Sequence, residues 1–199
     1  MAYIFNHTCI GASHIKKGIP CQDYSYSSSD DKCEIIIVSD GHGSDKYFRS
    51  DRGSRLAVEV AERQIRRFVE TTPSFQLNDI VQLGAIVGKG ASYDNLTLSE
   101  AKYEECFRRL CASIVSEWFV EIEKDWQTDP PTDEQMKRVP ANYIQYFKNN
   151  QNLEKAYGAT LLAFVKTPSY WFALHLGDGK CISFNSDGNW SEPVLWDPE

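Results

Sequence analysis

The stretch that most constrains this chain is Ile35-Ile36-Ile37-Val38-Ser39-Asp40-Gly41-His42-Gly43. Four consecutive β-branched residues predict a strand buried on both faces, and the strand ends abruptly in a carboxylate, two glycines and an imidazole. A buried strand fixes where Asp40 stands, while Gly41 and Gly43 let the backbone turn sharply and approach a ligand closely. Oxygen donors suit a hard cation: the Asp40 carboxylate and the Gly41 carbonyl can both serve Mg²⁺ or Mn²⁺, with His42 within reach of whatever the metal holds. The same Asp-Gly pair also suits a plain turn after a strand, and His42 can equally satisfy a turn carbonyl.

A length of 199 residues allows one domain of ordinary size with a single main core. With 21 basic against 28 acidic residues and a formal charge of −7, the chain is not built to bind a polyanion, so no nucleic-acid partner is expected. The cluster Arg63, Arg66 and Arg67 reads as the solvated face of a helix. Six cysteines form no C-x-x-C pair and no zinc-type spacing with the histidines, which predicts reduced thiols in a cytoplasmic protein. The segment Met1 to His7 lacks the basic region and apolar run of a signal peptide, and no apolar stretch reaches the roughly 18 residues of a membrane span, so a soluble protein without membrane contact is expected.

Taken in order, Tyr3 to Ile10 predicts a first strand, Ile15 to Pro20 a loop, and Cys21 to Tyr26 a second strand entered at Asp23. Ser27 to Lys32 reads as a polar turn before the Glu34 to Ser39 strand. In an antiparallel sheet so ordered, Asp23 and Asp40 can face each other across one sheet edge. Ser50 or Asp51 is placed to cap a helix carrying Ala57, Ala61, Ile65, Phe68 and Val69 on one side, stopped near Pro73. Leu77 to Asn95, punctuated by three glycines, reads as loop with a short helix. From an N-cap at Ser99, the spacing of Tyr103, Phe107, Leu110, Ile114, Trp118, Phe119 and Ile122 predicts the strongest helix of the chain, its stripe facing a core. Thr132 with Gln135 makes a capping box for a short helix after Pro131. Strands follow at Ala159 to Val165, Tyr170 to Leu176 and Lys180 to Phe184, with Asp178 in a Gly-Asp-Gly turn.

Gln22-Asp23, Asp40-Gly41-His42-Gly43, Gly158-Ala159-Thr160 and Gly177-Asp178-Gly179 are thus set on strand ends and turns. In this order and spacing, from about Gly11 to Gly179, they resemble the protein phosphatase 2C (PP2C) family of metal-dependent Ser/Thr protein phosphatases, in particular its bacterial, signalling branch. The resemblance implies an α+β fold, a sandwich of two antiparallel sheets flanked by helices. It implies that Asp40 bridges two Mn²⁺ or Mg²⁺ ions with the Gly41 carbonyl, that Gln22 and Asp23 hold metal-bound waters, and that Asp178 helps bind a third ion. It implies that His42 protonates the leaving alkoxide, that Thr160 supports the site, and that the partner is a protein phosphorylated on Ser or Thr.

Two positions depart from the family pattern. The arginine that grips phosphate in most members corresponds to Gly18, leaving Lys17, Lys16 or His14 as substitutes. The downstream Asp-Gly and Asp-Asn metal motifs do not occur before Glu199, and Asp187-Gly188 follows Asp178 too closely, reading as a hairpin turn. The expectation is therefore one PP2C-like domain over residues 1–199, incomplete at its C-terminus, with a helical insertion over about 98–150. A non-catalytic family member that binds phosphorylated partners is the competing reading, and a small α+β interaction domain with unrelated turns is a third. Oligomeric state leaves no trace in the sequence.

Overall fold

The computed structural model describes residues 3–72 and 98–192. Its centre is a four-stranded antiparallel sheet in the order β1 (Tyr24–Ser29), β2 (Glu34–Ser39), β3 (Leu161–Lys166), β4 (Trp171–Leu176). A second, small antiparallel sheet pairs β5 (Ser183–Phe184) with β6 (Trp190–Ser191) around the Asp187-Gly188 turn, where Gly188 has φ 78°. The helices are α1 (Ala12–Lys17), α2 (Ser50–Thr71), α3 (Leu98–Thr128), α4 (Asp133–Arg138) and α5 (Ala141–Lys148). The arrangement is the α+β architecture expected, with two antiparallel sheets and flanking helices. Among the described residues no helix is long and apolar enough to cross a membrane.

β2 falls where its β-branched run predicts it, but it is buried on one face only. Ile35 and Ile37 are fully buried, whereas Val38 keeps 41% of its surface exposed. Ile35, Ile37, Ala163, Val165, Phe172 and Leu174 point inward onto α2, whose Ala57, Val58, Val60, Ala61, Ile65 and Phe68 complete the core. Burying one such aliphatic side chain contributes about 1.5–3 kcal/mol, and this is what fixes the register of the sheet. α3 packs along α2 and reaches the sheet through Phe107, whose ring centroid lies 5.0 Å from that of Phe172. The predicted stripe of α3 is correct for Phe107, Leu110, Ile114 and Ile122 and continues to Trp126, while Phe119 is exposed. A second core forms where Ile122 and Trp126 meet Leu56, Val139, Phe147, Leu153 and Tyr157.

Several local expectations are revised. Tyr3 to Ile10 is not a strand: it lies over β1 through side chains, with Asn6 donating to the Ser25 carbonyl and accepting from the Ser27 hydroxyl. The predicted loop at 15–20 begins inside α1, which ends at Gly18 in the left-handed conformation, φ 62°. Ser27, Ser28 and Ser29 continue β1, because Ser28 bonds to Arg66 and the turn is closed instead by Asp30, whose carboxylate accepts from the Lys32 and Cys33 amides. α2 starts at Ser50 with Arg49 at its N-cap and no side-chain cap, so neither Ser50 nor Asp51 takes the capping role. The Thr132–Gln135 capping box is present in full. The reading of Leu77 to Asn95 lies outside the described residues, and Ser99 falls inside α3, which is described from Leu98.

Candidate metal centre

In an antiparallel sheet of this order, β1 begins, β2 ends, β3 begins and β4 ends at one edge. The register Tyr24↔Ser39 sets Asp23 opposite Asp40, and Leu161↔Leu176 sets Asp178 just past the same edge. The backbone of Asp40 is held on both sides by Thr160: the Asp40 amide donates to the Thr160 hydroxyl at 3.0 Å, and the Thr160 amide donates to the Asp40 carbonyl at 2.8 Å. The Ser39 hydroxyl donates to the Thr160 carbonyl as well. Thr160 is thus the clamp that aims Asp40, the supporting position the resemblance implied.

Gly41 proves necessary for a reason other than the sharp turn expected. Its φ is not positive; instead a Cβ there would stand 2.6 Å from both the Gln22 and the Ser50 carbonyl oxygens. The Gly41 amide donates to the Gln22 carbonyl at 3.0 Å, and the His42 amide donates to the Gly158 carbonyl at 3.0 Å. The Gly41 carbonyl accepts no hydrogen bond among the described residues, which leaves it free as an oxygen donor. Gln22 is buried, and its side-chain amide donates to the Ser50 hydroxyl at 2.6 Å and to the His42 carbonyl at 3.3 Å. Gln22 therefore ties the Gly41–His42 segment to the start of α2, with its amide nitrogen committed to that brace.

Burial raises the Asp40 carboxyl above the ordinary carboxylate range, and a hydrogen bond with Asp23, the Asp23 charge and the Asp178 charge raise it further; the nearby His42 opposes them. Like charges gathered at one spot favour protonation unless a cation joins them. Among the described residues no three His, Cys, Asp or Glu side chains close into a ready-made shell. The donor chemistry still fits a divalent ion: Asp23, Asp40 and Asp178 are hard oxygen donors, converge electrostatically, and pair with no arginine or lysine among the described residues. The Cys21 thiol lies at this edge and donates to the Asp23 carbonyl at 3.7 Å.

His42 is exposed, with its ring edge-on to Tyr47 at 4.5 Å between centroids. Lys46 lies over the other side of this assembly, its Nζ 4.6 Å from the Tyr47 centroid, where the tyrosine favours its protonated form. Tyr47 and Lys46 are not among the residues singled out from the sequence; the Lys-Tyr pair that begins six residues past Asp40 is the signal that was there. Lys17 and His14 sit on α1, and among the described residues no hydrogen bond or ion pair joins either side chain to the carboxylates. The structure thus brings Asp23, Asp40, His42 and Asp178 together and adds Gln22 and Thr160 as supports, with Lys17 and His14 making no bond to them among the described residues.

Beside this edge lies a second ionic cluster. Arg49, only 2% exposed in its side chain, meets Asp125 at 3.3 Å and the Tyr157 hydroxyl at 2.9 Å. Arg52 bonds to Asp125 and to Asp129, and the Tyr157 hydroxyl donates to Asp125 at 2.6 Å. Behind it, α2 touches the segment leading into β3: a Cβ at Gly53 would stand 1.7 Å from the Tyr157 carbonyl oxygen, so only glycine fits.

A family model described as protein phosphatase 2C matches residues 10–198. No curated protein matches the chain. With the four-stranded sheet, the carboxylate edge and a match over nearly the whole length, the chain belongs to the protein phosphatase 2C family.

Proposed function

We propose that the protein is a metal-dependent phosphatase that hydrolyses phosphoserine or phosphothreonine in protein substrates, using Mn²⁺ or Mg²⁺. The observation that carries this reading is the convergence of Asp23, Asp40 and Asp178 on one sheet edge with His42 beside them. Family membership supports a metal-dependent protein phosphatase in general; the choice of serine and threonine esters and of these ions is the proposal. Asp40, Asp23 and the Gly41 carbonyl would hold two ions, and Asp178 would contribute to a third. When bound, such ions act as Lewis acids toward the phosphoryl group and make water nucleophilic at neutral pH. Thr160 keeps the Asp40 carboxylate aimed, and Gln22 holds the Gly41–His42 segment against α2. His42, exposed beside the carboxylates, would donate a proton to the serine or threonine oxygen as it leaves. Six cysteines without a disulfide among them support a reducing, cytoplasmic setting.

The test is Mn²⁺-dependent release of inorganic phosphate from an aryl phosphate and from a phosphoserine peptide, beside Asp40→Ala. The expected result is turnover that needs the metal and falls by roughly 100-fold or more in the variant, since even indirect metal partners cost about 10–100-fold. Failure of the wild-type chain to release phosphate at any Mn²⁺ or Mg²⁺ concentration would overturn the catalytic reading and leave a phosphopeptide-binding module in its place.

A further inference from the structure

Lys46, Tyr143 and Lys155 come from three separate elements and meet at one place. Lys46 lies in the single 3-10 turn Asp45–Tyr47 that follows the metal edge, Tyr143 in α5, and Lys155 in the turn Leu153–Ala156 that leads into β3. Both ammonium groups lie 5.7 Å from the centroid of the Tyr143 ring. Tyr143 itself is fixed from below, stacked on the buried Phe147 at 6.3 Å. Among the described residues neither lysine forms an ion pair, although Glu154 and Asp45 are their chain neighbours. Two like charges on one ring gain cation–π attraction but repel each other, and an anion between or beside them relieves that repulsion.

The position of this cationic shelf says what the anion is. Lys46 also sits on Tyr47, and Tyr47 touches His42, so the shelf continues directly from the proposed proton donor. A formal charge of −7 on the whole chain disfavours a nucleic acid. His42 to Tyr47, Tyr47 to Lys46 and Lys46 to Tyr143 are contacts of 4.5, 4.6 and 5.7 Å, so a peptide whose phosphoryl group lies beside His42 would reach Tyr143 within about two to four residues of extended chain at about 3.3 Å each. We infer that Lys46 and Lys155, gathered on Tyr143, select phosphopeptide substrates that carry an acidic side chain two to four residues from the phosphorylated one. The inference deepens the phosphatase reading and rests on it for the position of the phosphoryl group.

Two phosphoserine peptides test it, one with glutamates and one with glutamines at those positions. Binding is followed by fluorescence anisotropy and turnover by Mn²⁺-dependent phosphate release, for the wild-type chain, Lys46→Gln/Lys155→Gln and the charge reversal Lys155→Glu. The wild-type chain is expected to bind the glutamate peptide about 5-fold more tightly at low salt, with the ratio shrinking as salt is added. The double variant should bring the ratio near one, and Lys155→Glu, which sets a carboxylate against Lys46, should do the same. Equal binding of both peptides by the wild-type chain, or an unchanged ratio in both variants, overturns the shelf. Phosphate release without peptide preference sinks the shelf and leaves the phosphatase standing; a lysine-dependent preference in binding without any phosphate release upholds the shelf and sinks the phosphatase.

Discussion

Two groups of carboxylates lie on either side of the start of α2, and the protein treats them in opposite ways. Asp125 and Asp129 are neutralised by Arg49 and Arg52, with the Tyr157 hydroxyl completing the network. Asp23, Asp40 and Asp178 gather with no arginine or lysine paired to them among the described residues, and Asp40 is pushed toward its protonated form by burial first and by its carboxylate neighbours second. A charge cluster that serves the fold is compensated from within; one left uncompensated is held for something the chain does not itself supply. Under the proposed function the carboxylates at the sheet edge are of the second kind, with a divalent cation as the partner their chemistry invites.

That contrast breaks most visibly at Asp125. Asp125→Ala leaves the guanidinium of Arg49 buried without a carboxylate, and the expected cost is about 3–5 kcal/mol in urea unfolding. A wild-type midpoint in that variant would mean that the buried network carries no stability.

At the sheet edge the sign reverses. The Asp40 carboxyl titrates higher in the folded chain than in the unfolded one, so without metal the native state binds more protons between the two values, and stability falls as pH rises through that window. Asp40→Asn removes the repelled charge. In a chelator at neutral pH its Tm is expected to rise by about 1–3 °C, and the increase that Mn²⁺ gives the wild-type chain should disappear. A lower Tm in the chelator would show that Asp40 serves the fold as Asp125 does.

The smallest effect sharpens the rule at the far end of the sheet. Asp30, bonded by the Cys33 amide first, then by Arg66 and the Lys32 amide, is lowered to about 2. Its contribution is present above the unfolded-state value near 3.8 and is lost as pH falls through about 2. Solvent screening keeps it small: Asp30→Asn is expected to cost about 0.5–1 kcal/mol at pH 7, with the two chains converging near pH 2 by circular dichroism.

Much of this was readable because period and punctuation agreed. The position of β2, though not the burial of its second face, β4, the inward face of α2 and the capping box at Thr132 each followed from a local pattern, and the facing of Asp23 and Asp40 followed from two strands that meet at an edge. The misses have physical causes. Tyr3 to Ile10 has strand-like residues but is held by side-chain bonds from Asn6 and Thr8 to β1, not by backbone pairing. Ser27 to Ser29 looks like a turn, yet Arg66 and Asn6 satisfy Ser28 and Ser27 and extend the strand. The role of Gly41 depends on carbonyls of Gln22 and Ser50 that no local pattern announces. The Tyr47–Lys46 platform likewise exists only once α5 and the turn before β3 are in place.

The clamp between Asp40 and Thr160 joins residues 120 positions apart, across the excursion that separates β2 from β3. Contacts of such separation form late in folding, so the site is completed only after the rest of the domain has gathered. The entropy of closing a connection grows slowly with its length, about 0.6 kcal/mol for each doubling. The excursion can therefore lengthen, shorten and change its surface over generations while the two ends that carry the carboxylate and its clamp stay in register. Inheritance is free to rewrite the partners this enzyme fold meets without touching the chemistry at its edge.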